Sequence, residues 1–371
     1  MTDVVSAPPS SVAPLPPAPD PTPAATSATT SWRRRAGRAL GVPVGAVVIA
    51  LLVGAIVIAI EGHPPLDVYR SMVEGVTGSR FGWRDTLTRA CPVVLIAVGL
   101  SFAYRARVYN IGPEGQLLVG ATAATAWATG PAGSLPGPVL VVTSIAIGAV
   151  AGAAWAGLAA WFGNRFGASV VISTLLLVYV AEALLAYAVR VPLKDPAGIL
   201  PQSRVLGGAE LPVIGDVRLH VGVLLAAAVA PVAWLVLQRT RFGFRVRAMG
   251  HNSEALEANE VPAARIATWV LLLSGGLAGI AGYIQVAGVQ GRLIQGLSPG
   301  FGFAAITVAL VGRLHPVGVV VSGVLLSAML IGAESAQREF ALPVSAVSML
   351  QALVVVLVVC GDALANRRWR T

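Results

Sequence analysis

Uninterrupted apolar runs limit what this chain can fold into: Leu51 to Ile60 and Leu353 to Val359 carry no polar side chain at any position. A transmembrane β-strand alternates apolar and polar residues over ~10 positions, so a closed barrel does not produce such runs. Several runs reach the ~20 residues that take a helix across a ~30 Å hydrocarbon core. The chain's 371 residues are 56% hydrophobic and 12% charged, against roughly a quarter charged in a soluble domain. A water-soluble fold cannot hide that much apolar surface. The expected fold is all-α, a polytopic transmembrane helical bundle that crosses the bilayer about ten times.

Charge placement orients the bundle. The net charge of +9 is carried by short arginine clusters beside apolar segments, which is how membrane proteins fix topology, and no continuous basic face suggests nucleic acid. Residues 1–31 are rich in Pro, Ala, Ser and Thr, a composition that buries too little to fold, so 1–38 reads as a disordered cytoplasmic tail. The run Val42 to Ile60 that follows Arg33, Arg34, Arg35 and Arg38 is too long and too late for a cleaved signal peptide. Spans are expected at about 42–60, 87–104, 113–129, 139–162, 168–189, 219–238, 266–288, 299–312, 316–334 and 347–364. With the first arginines inside, the cluster Arg239, Arg241, Arg245 and Arg247 also falls inside. The tail 366–371, with Arg367, Arg368 and Arg370, then falls inside as well, so both termini are cytoplasmic. The segment 299–312 is short and contains glycine, so it could also be re-entrant.

Two polar segments interrupt the apolar pattern in the transmembrane domain, 39–365. In 239–265, Ser253 is a candidate N-cap, SEALEANE favours helix and Pro262 marks a boundary. A short cytoplasmic helix there could dock a soluble partner, or the loop could serve only to fix topology. In Arg105 to Ala121, Asn110, Glu114 and Gln116 gather with Gly112, Pro113 and Gly115 at the inner end of the third span. Polar groups with Gly/Pro interruption mark discontinuous helices along a substrate path, although water at the interface can also satisfy them. Deeper polar residues include Ser173, Thr174, Glu182, Gln285, Thr307 and Glu334. Glu182 stands about two turns from Arg190, so it is either a path residue or half of an ion pair at the outer interface. Trp127, Trp155 and Trp161 read as anchors or packing residues, and Gly148, Gly152 and Gly157 or Gly275, Gly276, Gly279 and Gly282 permit close helix crossing.

Other chemistry is missing. The one lysine, Lys194, follows leucine and not the glycine of a phosphate-binding loop, so the chain is expected not to hydrolyse ATP. Cys91 and Cys360 show no metal or disulfide spacing, and the four histidines are isolated. No array of intramembrane carboxylates suits an ion-coupled carrier.

Three segments, RARVYNIGPEGQLLVGA, FGFRVRAMGHNSEALEANEVPAARIATWVLLLSGGLAGIAG and GFGFAAITVALVGRLHPVG, resemble the permeases of bacterial ABC importers for branched-chain amino acids and simple sugars. The NIGPEGQ stretch most resembles the nucleoside and simple-sugar branch. The resemblance covers roughly 40–365 in matching order. It implies a plasma-membrane permease that works by alternating access with a second homologous permease. It also implies a cytoplasmic ABC ATPase that binds ATP and Mg, and an extracytoplasmic substrate-binding lipoprotein. A coupling helix is then expected at about 250–261, with Gly250, Asn252, Glu254, Ala255 and Ala258 at the matching positions. Asn110, Glu114, Gln116, Glu182 and Gln285 are the candidate path residues.

Overall fold

The structure, a computed structural model, describes residues 48–49, 51–258, 260–343, 349, 352–353 and 356. The expected tails lie outside these residues, as does most of the expected span 347–364. The helices are α1 (Leu51–Ile60), α2 (Pro65–Thr77), α3 (Arg80–Arg105), α4 (Pro113–Thr129), α5 (Gly137–Phe166) and α6 (Val170–Arg190). They continue with α7 (Gly222–Arg239), α8 (Arg241–His251), α9 (Ser253–Glu257), α10 (Ala263–Gln285), α11 (Phe301–Val311) and α12 (Pro316–Phe340). Strands β1 (Val213–Ile214) and β2 (Leu219–His220) pair antiparallel, with Val213 opposite His220 and Ile214 opposite Leu219.

Six of these helices are long and apolar enough to cross a membrane, or seven if the bent pair α1 and α2 counts as one span. The described residues thus give six or seven of the roughly ten expected spans. The shortfall has a physical cause. Helix α11 has 11 residues and rises only ~16 Å, half a hydrocarbon core. Helix α4 follows its expected limits, but its 17 residues rise ~25 Å. The expected first span, 42–60, ends at Ile60 as expected, but only α1 within it is a described helix longer than two residues, and the chain then turns by 114° into α2.

Helices α3 and α10 form the interior. Their apolar windows are 83% and 72% buried, whereas those of α5, α6 and α7 are 28% or less, so the latter turn apolar faces outward. Small residues decide how closely the core helices approach. Gly120 of α4, Gly148 and Gly152 of α5, and Gly275 and Gly279 of α10 meet backbone to backbone. A Cβ on Gly279 would stand well inside 3.0 Å of the Gly148 carbonyl oxygen. Two carboxylates of α12 tie it to its neighbours: Glu334 binds Arg89 of α3, and Glu339 accepts from the Ser71 hydroxyl of α2.

The long segment after α6 closes one end of the bundle. Ser203 N–H donates to the Leu293 carbonyl and Leu293 N–H returns to Ser203 Oγ, both at 2.9 Å. Leu211 N–H reaches Ala287 in the π-helical turn Val286–Gln290 that ends α10, and Tyr283 donates to the Ala209 carbonyl at 2.6 Å. Beneath this cap His220 is buried, and neither ring nitrogen has a hydrogen-bond partner among the described residues. It is wedged where Cβ atoms on Gly222 and Gly288 would collide with its ring.

Burial lowers the His220 pKa below the ordinary 6.5, because a charged ring there would lose its hydration. When the cap opens, the ring titrates near its ordinary value. The neutral ring therefore supports the closed cap fully above pH 6.5, and that support is lost as the pH falls below it toward the depressed value. Amide exchange across 203–221, corrected for intrinsic rates, should quicken severalfold between about pH 7.5 and about pH 5.5. His220→Leu should remove that dependence.

Candidate functional site

Between α3 and α4 the backbone leaves helix and runs inward. Asn110 Nδ2 bonds Ser274 Oγ at 3.1 Å, and Ser274 lies eleven residues into α10, ~16 Å along its axis from Ala263. The sequence left these groups either on a discontinuous helix along a path or satisfied by water at the interface. The structure places them within the bundle, at the depth of the middle of α10. Irregular backbone is tolerated at such depth only where protein satisfies its polar groups, and that is what these side chains do. Asn110 Oδ1 accepts from its own Gly112 N–H at 3.0 Å, an Asx turn. Asn110 and Gln116 also exchange a reciprocal pair of amide hydrogen bonds, both 3.0 Å. Thr174 Oγ1 receives Ile111 N–H at 3.2 Å, and Tyr104 donates to the Asn110 carbonyl at 2.9 Å. Both amide side chains are buried and occupied by one another.

Glu114 stands at the second position of α4, so its carboxylate faces the positive end of its own helix. It also holds a second helix end. Gly302 N–H, in the first turn of α11, donates to Glu114 Oε2 at 2.6 Å, and the Ser298 hydroxyl and Gly300 N–H bond the same carboxylate. Ser298 Oγ in turn accepts from Phe301 N–H at 3.0 Å. Two part-length helices thus meet N-terminus to N-terminus on one buried carboxylate. The N-termini of such discontinuous helices gather at binding sites in many transporters.

A cavity of about 270 Å³ opens beside this junction, lined by Glu114 and Leu118 of α4, Glu182 and Leu185 of α6, and Gln295 and Ser298 from the segment before α11. Glu182 is exposed, and it makes no salt bridge among the described residues. Arg190, the expected alternative partner, instead donates to Gln295 Oε1 at 3.1 Å. The structure therefore brings Glu114 and Glu182 together, ties Asn110 to Gln116 behind them, and leaves Gln285 buried in α10, outside the cavity lining. Gln295 and Ser298 were missed from sequence. The signal for Ser298 was present, since Ser-Pro-Gly before an apolar run is a helix-start pattern.

The second candidate region, 239–265, forms two helices where one was expected. Thr240 caps α8, its Oγ1 accepting Gly243 N–H at 3.1 Å. The helix breaks at Asn252, and Ser253, expected as an N-cap, is the first residue of α9. Gly250 is buried against the end of α3, where a Cβ would fall on the Arg105 carbonyl oxygen. Arg105 Nε binds the Leu314 carbonyl at 3.0 Å, so α3, α8 and the turn after α11 meet at one place. Asn252, Glu254 and Ala258 are exposed beyond this joint. Ala255 belongs to α9, but its side chain is outside the described set.

A family model described as branched-chain amino acid transport system / permease component matches residues 83–359. The chain is 34% identical over 338 residues to the glucose ABC transporter permease protein TsgB13 of Haloferax volcanii, covering 87% of this chain and 88% of that protein. It is 30% identical over 328 residues to the guanosine ABC transporter permease protein NupP of Bacillus subtilis, covering 87% and 94%. With the nucleoside ABC transporter permease protein NupB of Lactococcus lactis it shares 24% identity over 325 residues, covering 85% and 89%.

Proposed function

The chain belongs to the family of branched-chain amino acid transport system permease components, and from that premise we propose that it imports nucleosides as one half of an ATP-driven transporter. It is a membrane-spanning permease subunit. The observation that carries the reading of the path is Glu182. A carboxylate in the middle of α6, ~12 Å along the helix from Arg190, costs about 3 kcal/mol or more if it faces lipid. Its exposure supports a reading in which that face of α6 lines a watery path or meets a second permease. Beside it the acceptors Glu114, Glu182 and Gln295 suit the hydroxyl donors of a ribose, and the apolar Leu118 and Leu185 suit the body of a base.

In this reading the arginine-rich end is cytoplasmic, and both termini lie on that side of a bacterial plasma membrane. An ABC ATPase binds ATP and Mg and docks on α9 through Asn252, Glu254, Ala255 and Ala258, while Gly250 seats α8 on α3. ATPase closure pushes that joint and switches the permease pair between outward- and inward-open states. A substrate-binding lipoprotein delivers solute from outside. A second reading, a simple-sugar permease, is favoured by the glucose relative at 34% identity.

Uptake of labelled nucleoside into proteoliposomes holding the whole complex, competed with sugars and branched-chain amino acids, decides the cargo. Nucleosides alone should compete; indifference to them rejects the first reading, and competition by glucose alone selects the second. Glu182→Gln should raise the KM for uptake roughly tenfold or more, as the loss of a hydrogen bond to a charged acceptor implies. It should leave basal ATP hydrolysis by the complex unchanged. An unaltered KM removes Glu182 from the path.

A further inference from the structure

A cleft of about 870 Å³ opens between α7, α8 and the segment that follows them, away from the cavity at Glu182. Arg239, Arg241, Arg245, Arg247 and His251 line it, and the lining contains no carboxylate. None of the four arginines is salt-bridged among the described residues. Arg247 Nη1 is enclosed and lacks any hydrogen-bond partner there. Since a buried guanidinium N–H without an acceptor costs about 1–3 kcal/mol, the cleft as it stands wants an anion.

What lies beside the cleft selects the kind of anion. Val232, Leu235 and Arg239 are spaced i, i+3 and i+7 on α7, so they share one face, and Val232 and Leu235 are exposed at 58% and 51%. Phe244, on the rim, is 63% exposed. An apolar stripe thus runs lengthwise along a membrane-crossing helix and ends at a basic recess. That shape matches a phospholipid, with acyl chains along α7 and the phosphate between the guanidinium groups, where planar N–H forks grip phosphate oxygens in pairs. A carboxylate from a soluble partner would use the arginines but would have no need of the stripe.

We propose that this cleft is a specific site for the phosphate headgroup of an anionic phospholipid, held by Arg241, Arg245 and Arg247. The lipid fastens α8 to the bilayer surface next to the joint with α3.

The test uses the full chain in mild detergent, titrated with a fluorescent phosphatidylglycerol and read by anisotropy, with labelled phosphatidylcholine in parallel. Phosphatidylglycerol should bind saturably and at least tenfold more tightly. The double variant Arg241→Gln/Arg247→Gln should weaken it about thirtyfold, roughly fivefold for each charge removed, whereas Arg204→Gln in the opposite cap should not. If the double variant does not fold, the unaltered chain still decides. Raising ionic strength from about 0.05 M to about 0.5 M should weaken phosphatidylglycerol severalfold and leave phosphatidylcholine unchanged. Equal binding of the two lipids overturns the proposal. So does displacement of phosphatidylglycerol by inorganic phosphate at matching affinity, which would mean a free-anion site. In the assembled complex stripped of lipid, protection of Arg245→Cys from a thiol reagent by the ATPase would assign the cleft to a protein carboxylate and overturn it as well.

Discussion

Gly279→Val should remove the folded permease from the membrane almost completely. At this position the added side chain meets backbone on two sides, the Gly148 carbonyl of α5 and the Cα of Gly152. Neither can swing aside as a side-chain tip can. Overpacking in an ordinary core costs about 1–3 kcal/mol. Here α5 and α10 must separate along their whole crossing, so the cost should exceed that range, and the yield of monodisperse protein in size exclusion should fall more than about tenfold. Gly167→Ala tests whether the effect belongs to glycine in general. Gly167 ends α5 with φ +66°, and a Cβ added there would meet nothing within 4 Å, so its replacement strains only one residue, at about 1 kcal/mol. Equal yields from the two variants would refute close packing as the role of Gly279.

Gly250→Val should produce the opposite phenotype: a permease that folds and assembles but does not transport. Its Cβ would overlap the Arg105 carbonyl oxygen, so α8 must lift from the end of α3. The lesion lies at the end of the bundle, outside the packed interior, so yield should stay near normal. Because α3 is the most buried of the crossing helices, a push delivered there in the proposed coupling would reach the core, and lifting α8 would disconnect it. Substrate-stimulated ATP hydrolysis and uptake should both fall more than about tenfold, with basal hydrolysis retained. Normal stimulation in the variant would mean that force does not pass through this contact.

The two positions show what the sequence could and could not disclose. Apolar runs placed α5, α6, α7 and α10 to within four residues, because burial in lipid demands length and leaves little else to specify; α3 begins seven residues before its expected start and α12 ends six after its expected end. The same criterion misjudged α11, since a helix that starts inside the bundle needs only half the length, and its start depends on Glu114, 188 residues earlier. Asn110 and Gln116 were legible as polar residues in an odd place. Their pairing was not, because it exists only once 106–112 is folded inward. Helix α8 was the second helix of 239–265 that was not expected: Gly243 and Gly250 weaken its local propensity, and the same glycines let it dock on α7 and α3. Gly250 itself was marked only through family resemblance. The run SEALEANE did signal a helix, which α9 bears out for Ser253–Glu257.

The junction at Glu114 has an electrical consequence. Two inward-pointing helix ends amount to roughly one unit of positive charge within the bundle, and left bare they would collect a mobile anion from solution. Glu114 occupies that place covalently, so the acceptor that both helix ends require is built into the chain. With the helix ends matched by Glu114, the carboxylate in the adjoining cavity that no salt bridge offsets among the described residues is Glu182.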